Sequence, residues 1–560
     1  MEENFSLENM DNLIIKDRNY YCKRRKRILL ILLILIIIIA VITGIVFLIL
    51  FLIETFRKKG GKIICQYNIL NNNENIHLIN IANDIDYNLI IDDIEYSQNT
   101  YHVFEKAGNH KVIFHFKSKL DSLKGFFENI KNLTEVDFSE FEAENIESME
   151  KLFSGCNILT KVNFENRTPN LKNINSMFYR CESLTNVNLN FDTSKVALMN
   201  SMFYGCKELT NLDLSNFNLE KLENSSNKFD RCSKLGEIIF NNNTVTNNLK
   251  EMSYMFRECN KLQYINTKIF KVDKLTNLND VFENCNSLKE IDLSHFKTEN
   301  IKELSATFSG CWNLEKIDIS NFDTSKIERI DSIFYNCNNL KILNISLINS
   351  IMLVKTDSAF NLCKSLTSLD LSSFNFSSVE DANNMLSHCE SLEYLTLPDQ
   401  MPSLLDISGM FSYCFNLTSI NLGFLENAKK VQNLFNMFYY CHNLIEIEFP
   451  YVHIEFLNSS SQMFSDCMEI KRIDLGKLEI KNVSVMSNMF RNCKNLEFLN
   501  ITNIDMRFVT SYNSIFLGVP KNISIIYDSN KTNKIMEEII KNQSLVDFYY
   551  DQYLFRTYYI

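Results

Sequence analysis

With 560 residues, 46% of them hydrophobic, the sequence has material for a large core and is not disordered throughout. Its net charge of −11, from 68 acidic against 57 basic residues, leaves no basic face to neutralise a nucleic-acid backbone, so no nucleic-acid partner is expected. Only 13 glycines and 5 prolines occur, too few for hairpin-rich β folds or phosphate-cradling glycine loops.

The chain begins with a polar stretch that ends in Lys23-Arg24-Arg25-Lys26-Arg27, with Lys16 and Arg18 further back. Residues 28–53 follow, 26 uncharged residues built mostly of Ile and Leu, where ~20 suffice to cross the hydrocarbon core of a bilayer. A cleaved signal peptide would have a shorter apolar stretch and a small-residue cleavage site. The segment is therefore expected to stay as a transmembrane signal-anchor helix, with the lipid bilayer as its partner. Downstream stand only Arg57, Lys58, Lys59 and Lys62, so the positive-inside rule keeps residues 1–27 as a cytosolic tail. The rest of this single-pass membrane protein is then extracellular or lumenal, at the cell surface. Such a tail is too short for a catalytic domain, and inward signalling would need a recruited partner. Cys22, beside the membrane, is open to palmitoylation or stays unmodified.

Residues 54–118 predict a small β-rich juxtamembrane stalk domain with strands over Lys62–Leu70, Leu78–Ile81, Asn88–Ile91 and His110–Phe116, and a turn at Ala107-Gly108-Asn109-His110. His102, His110 and His115 lie close together, but without a cysteine or carboxylate cluster they read as ordinary strand histidines and no metal site is expected.

Residues 119–520 carry a repeat. Cysteines fall at Cys156, Cys181, Cys206, Cys232, Cys259, Cys285, Cys311, Cys337, Cys363, Cys389, Cys414, Cys441, Cys467 and Cys493, always 25–27 residues apart. Three residues before each stands phenylalanine, with Leu386 the exception; three residues after stands leucine, with Ile470 the substitute. Six and eight residues past each cysteine are further apolar positions, such as Ile317 and Ile319, around a polar one such as Asp318. That alternation is the period of a β-strand. The Met-Phe-x-x-Cys half, as in Met202-Phe203-Tyr204-Gly205-Cys206, spaces its apolar residues by three and predicts a short helical turn. Neither half buries its apolar side alone, so the units must stack. The fold class is an α/β leucine-rich-repeat solenoid, one short parallel strand plus one short helix per repeat, with strands ~4.8 Å apart.

Phe127 to Phe138 reads as a degenerate first unit and Ile515 to Val519 as a degenerate last one. Residues 521–560 would form a C-terminal cap, with an amphipathic helix over Lys534–Leu545 and a tyrosine-rich end, Phe548–Ile560, laid across the final rung.

The wording Leu314-Glu-Lys-Ile-Asp-Ile-Ser-Asn-Phe-Asp-Thr324, Leu366-Thr-Ser-Leu-Asp-Leu-Ser-Ser-Phe374 and Met177-Phe-Tyr-Arg-Cys181 resembles the BspA-like leucine-rich-repeat surface proteins. That resemblance covers about residues 120 to 520. It implies a right-handed solenoid, surface display, and adhesion or recognition without catalytic residues. Bacterial members would pair a secretion signal with a C-terminal wall anchor, whereas this chain has an N-terminal anchor.

Each repeat cysteine holds one place in its rung, so the fourteen are expected to line up as a buried ladder of structural thiols. Rung spacing also suits a disulfide, which leaves neighbour pairs open. Thirteen Asn-x-Ser/Thr sequons follow the apolar segment, among them Asn132, Asn224, Asn344, Asn375, Asn416, Asn482 and Asn522, and permit glycosylation. No His-Glu-x-x-His, Gly-x-Ser-x-Gly, phosphate loop or paired Cys-x-x-Cys occurs, so neither catalysis nor a cofactor is expected.

Specificity should lie in the variable column five residues past each cysteine, whose aromatic and Arg members are Tyr264, Tyr394, Arg472 and Phe498. The function read from the sequence is non-catalytic adhesion or recognition of an extracellular protein or glycan. A structural surface coat, or a receptor acting through its tail, are the alternatives.

Overall fold

The computed structural model describes residues 7–57, 60–80, 85–165, 167–345, 350–532 and 536. Helix α1 (Leu7–Arg57) runs 51 residues without interruption, about 77 Å at 1.5 Å per residue. The sequence predicts a helix only over 28–53. The structure carries it back through the basic run, because Lys, Arg, Leu and Met are good helix formers and no proline intervenes. Within α1, Tyr20–Phe51 is long and apolar enough to cross a membrane, and its side chains are exposed along its whole length.

After α1 come β1 (Gly61–Ile69), β2 (Glu74–His77), β3 (Tyr87–Ile91), β4 (Ile94–Tyr96), β5 (Tyr101–Phe104) and β6 (Gly108–Phe116). Three expected strands appear as β1, β3 and β6. The fourth, Leu78–Ile81, does not, and Ile81 lies outside the described residues. Leu78 and Ile79 are buried outside any strand, and the strand is the preceding Glu74–His77. There the peptide of Leu78 is used across the chain, its N–H donating to Thr100 O and its carbonyl accepting the Tyr67 hydroxyl. Burial without a ladder looks the same in sequence as burial within one.

This segment is not a free-standing stalk. Strand β1 pairs antiparallel with β6 on one side and with β7 (Leu133–Asp137), the strand of the first coil, on the other. Beyond β7 the pairing turns parallel, to β8 (Lys161–Phe164) and β9 (Asn186–Leu189), giving the order β4-β3-β6-β1-β7-β8-β9. The region therefore caps the solenoid sheet, covering an edge that would otherwise be open to other chains. At its entry, a Cβ on Gly60 would collide with the backbone of Ser118, and one on Gly61, at φ +75°, with that of Glu140. Only glycine lets the chain pass so close.

The coils then repeat one plan and form a β-solenoid of the leucine-rich-repeat kind. Each short strand alternates out and in, as in Lys316–Ile319, where Ile317 and Ile319 are buried and Lys316 and Asp318 exposed. Parallel ladders join neighbours in exact template register, for example Lys316 to Ile342 and Asp318 to Asn344. In the coils of Cys259, Cys285 and Cys414 the sheet side has no strand, so the sheet is segmented. A second line of parallel bridges ties those coils to neighbours, Asn224–Glu251 for that of Cys259, Asn277–Glu303 for that of Cys285 and Asp381–Asp406–Asn433 for that of Cys414.

The helical turn expected for Met-Phe-x-x-Cys is absent from the described coils. In its place are overlapping turns: Ser154 N donates to Lys151 O, Cys156 N to Phe153 O and Leu159 N to Cys156 O. The intervening N–H groups leave the coil and donate to the next one, Lys151 to Asn175 O, Phe153 to Met177 O and Gly155 to Tyr179 O. A helix is prevented because positive φ recurs at fixed places, +57° at Lys151 and +77° at Gly155, then Ser176 and Arg180, then Ser201 and Gly205. The turn series thus gives each coil donors toward the next coil and acceptors toward the one before, while other N–H groups, such as Thr160 to Thr134 O and Lys172 to Glu147 O, donate backwards.

Inside, the phenylalanines stack face to face from Phe127 through Phe153 and Phe178 to Phe360, with centroids 5.3–6.0 Å apart. Leu386 interrupts the column, which resumes from Phe411 to Phe516. Phe127 and Phe516 belong to the two degenerate end units and stack like the rest. Helical residues begin again at Ser529, and Met536 is helical and buried. The remainder of the helix expected at 534–545, and the tyrosine-rich end, lie outside the described residues.

Candidate functional site

The outward side of the sheet carries two columns. In the one seven residues past each cysteine, Asn and Asp are occupied within the protein. Asn163 Nδ2 donates to Asp137 Oδ1 at 3.0 Å, Asn188 to Asn163 at 3.0 Å, Asn344 to Asp318 at 3.0 Å and Asn500 to Asp474 at 2.9 Å. Several also accept the N–H two residues on, which closes the strand in a turn, as Asp318 does from Ser320 at 3.0 Å. The Ser320 hydroxyl, the Asn344 amide and the Ser320 N–H together hold the Asp318 carboxyl down at about 2. Hydrogen-bonding capacity spent between coils is not offered to a ligand.

The other column, five residues past each cysteine, is freer. Tyr264 and Tyr394 are 72% and 71% exposed. Tyr264 edges a shallow groove with Gln263, Ser287, Lys289, Glu290 and Lys316. Arg472 and Phe498 are direct ladder partners, and they satisfy one another. The guanidinium lies 3.9 Å from the ring centroid and also donates to Asp474 at 3.0 Å. Phe498, expected on the exposed face, is half-buried beneath Arg472. The four candidates do not converge: five strand spacings separate Tyr264 from Tyr394 and three separate Tyr394 from Arg472, roughly 24 and 14 Å.

Two features were not anticipated. Ile239, 46% exposed, adds apolar surface to the same face, beside Ile342, 51% exposed, which belongs to the variable column and was expected there. On the turn side, His388, Tyr413 and Tyr440 stack in succession at 4.0 and 5.1 Å, flanked by the Phe415–His442 pair at 5.1 Å. Their signal in the sequence is aromatic occupancy one residue either side of successive cysteines. Ring faces in this stack are spent on each other, so edges are what solvent meets.

All fourteen repeat cysteines are buried and free of disulfides. Each Sγ donates to the carbonyl of the phenylalanine, or Leu386, of the coil before it, from 2.9 Å for Cys156 to 3.3 Å for Cys414. Burial pushes these thiols up, to about 12 for Cys156, Cys311, Cys363 and Cys414. Among the described residues no three metal-binding side chains come together. His110 is bonded to Asp92 at 2.6 Å, and His102 packs between Tyr96 and Phe104.

Of the sequons, Asn344, Asn482 and Asn522 are exposed, while Asn132, Asn224, Asn375 and Asn416 are half-buried. The amide nitrogens of Asn132, Asn344 and Asn482 already donate, to Asn68 O, Asp318 and Glu455 O.

A family profile described as "Mycoplasma protein of unknown function, DUF285" matches residues 121–243, 234–316, 302–421 and 405–528. A search of curated proteins gives no match. Similar solved structures include a leucine-rich cell surface protein from Faecalibacterium prausnitzii, 14% identical with TM-score 0.33, covering 71% of this chain and 94% of that one. A leucine-rich-repeat protein from Eubacterium ventriosum is 15% identical with TM-score 0.29, covering 60% and 82%. The functional domain of InlJ from Listeria monocytogenes, which includes a cysteine ladder, is 14% identical with TM-score 0.17, covering 71% and 79%.

Proposed function

Since the chain belongs to the family described as Mycoplasma protein of unknown function, DUF285, we propose that its solenoid works by binding, as a membrane-anchored surface protein that recognises an extracellular protein or glycan. The BspA-like resemblance of its repeats is part of this proposal. Helix α1 is the anchor, with residues 1–27 cytosolic and the solenoid displayed outside.

The observation that carries the reading is Tyr264 and Tyr394, strongly exposed on the outward side of the coils, Tyr394 in a strand and Tyr264 where its coil has none, beside a polar column that is hydrogen-bonded internally. Large aromatic side chains, with few rotatable bonds, lose little freedom on binding and dominate contact energy. No catalytic constellation competes with that reading among the described residues.

Cells displaying the full chain should capture a partner, from cell-surface extract or a glycan array, that Tyr264→Ala combined with Tyr394→Ala weakens at least roughly tenfold, the loss of one or two anchors. Capture unchanged by the double variant would remove this face from the proposal. Protease digestion of intact cells checks the topology: the solenoid should be cut and residues 1–27 protected.

A further inference from the structure

Five consecutive cations, Lys23, Arg24, Arg25, Lys26 and Arg27, lie on α1, and each is exposed. A helix turns once in about 3.6 residues, so five in a row encircle it completely within a rise of roughly 6 Å. The first apolar residue, Ile28, follows at once.

Elsewhere a number of cations are matched to carboxylates of adjoining coils, as in Lys172–Glu147 at 3.0 Å, Lys250–Glu223 at 2.8 Å and Lys302–Glu328 at 3.0 Å. Lys62, beyond the other end of the apolar run, is paired with Glu140 at 3.2 Å. Among the described residues no carboxylate pairs with any of the five. With no partner among the described carboxylates, this closed ring of positive charge at the edge of an apolar helix is open to a counter-charge from outside the protein.

We propose that Lys23 to Arg27 form a collar that gathers anionic phospholipid headgroups around α1 on the tail side of the bilayer. The proposal rests on α1 being a membrane anchor. The match is electrostatic and geometric: a ring one headgroup layer thick meets a layer of phosphate and carboxylate groups, and its all-round charge favours an annulus of lipids over one lipid pocket. Arginine adds forked donors for phosphate, and lysine a mobile point charge. Tyr20 and Tyr21, both exposed, continue the helix on the polar side, where amphipathic rings suit the interface.

The test uses the full chain reconstituted in phosphatidylcholine vesicles with a minor fraction of phosphatidylserine, then excised with its nearest lipids in polymer-bounded discs. Lipid retained with the wild type should be enriched in phosphatidylserine roughly threefold over the bulk, and raised salt should reduce that enrichment. The variant K23Q/R24Q/R25Q/K26Q/R27Q should fall to the bulk ratio, whereas K23R/K26R should keep the enrichment. Alkaline carbonate extraction and protease protection on the same vesicles report insertion separately. Bulk lipid composition around an inserted wild-type chain would overturn the collar and leave the anchor standing. Release of the chain by carbonate would overturn the anchor, and the collar with it.

Discussion

Lys228 departs from its template in the least expected place. It stands where most coils have the methionine of Met-Phe-x-x-Cys, fully buried, with Nζ 3.6 Å from Met199 Sδ and 5.2 Å from the Phe229 ring centroid. Burial brings its amine down to about 7 from an ordinary 10.5. Between those values the unfolded chain holds a proton that the folded chain lacks, so stability rises with pH across the window and is level at its lowest below it. Lys228→Met is therefore expected to stabilise this coil by up to about 4 kcal/mol near neutral pH, with the gain vanishing above the upper value. Thermal melts of both proteins across that range check it; a gain independent of pH would contradict a buried neutral amine. The cysteines make the opposite kind of prediction. Maleimide should label exposed Cys22 in the native protein and reach the ladder thiols and Cys65 only in denaturant, because burial suppresses their thiolates. The ladder positions were legible from spacing alone. The covering of Phe498 by Arg472 was not, since the two are 26 residues apart in sequence and adjacent only once coils stack.

Among elements, strands were read more faithfully than turns. In-out alternation marks a strand directly, and β1, β3 and β6 fell where it predicted. A spacing of three apolar residues fits a helical turn and a chain of overlapping turns equally, and what separates them here is positive φ carried by Lys151, Ser176, Arg180 and Ser201, which are not glycine. Where glycine does occupy such a place it is constrained. Gly310 sits at φ +71°, and a Cβ there would run into the Asn284 carboxamide of the coil before. Gly310→Ala should cost about 1–3 kcal/mol, and adding Asn284→Ala should recover the part due to collision but not the part due to φ. Denaturant melts of the single and double variants separate the two. Asn80 is a second element-scale test. It caps the acceptor side of the first turn series, its N–H donating to Phe126 O at 2.8 Å and its Nδ2 to Gly125 O at 3.2 Å and Glu128 O at 2.7 Å. Asn80→Ala should weaken this end by about 1–3 kcal/mol, seen as faster amide exchange in the coil of Phe127 than in the coil of Phe334.

At the scale of the molecule the period fixed the architecture, because Phe, Cys and Leu at constant offsets leave stacking as the only way to bury them. What the period could not reveal lies where it stops. The segment before the repeats read as a separate stalk because its own apolar pattern is strand-like; only its pairing with β7 shows that it closes the sheet. Removing residues 61–118 from the full chain should therefore do more than shorten it. The bare β7 edge and the open acceptor carbonyls of the first coil are expected to promote aggregation, measurable by light scattering against the intact chain. Between its ends, by contrast, the stack is indifferent to length. The turn N–H groups donate to the following coil and the cysteine thiols to the preceding one in the same pattern at each step, so a tandem duplication of one unit would find matching neighbours above and below. The solenoid is in this sense an extensible ruler, its reach adjustable in steps of about 5 Å per added coil.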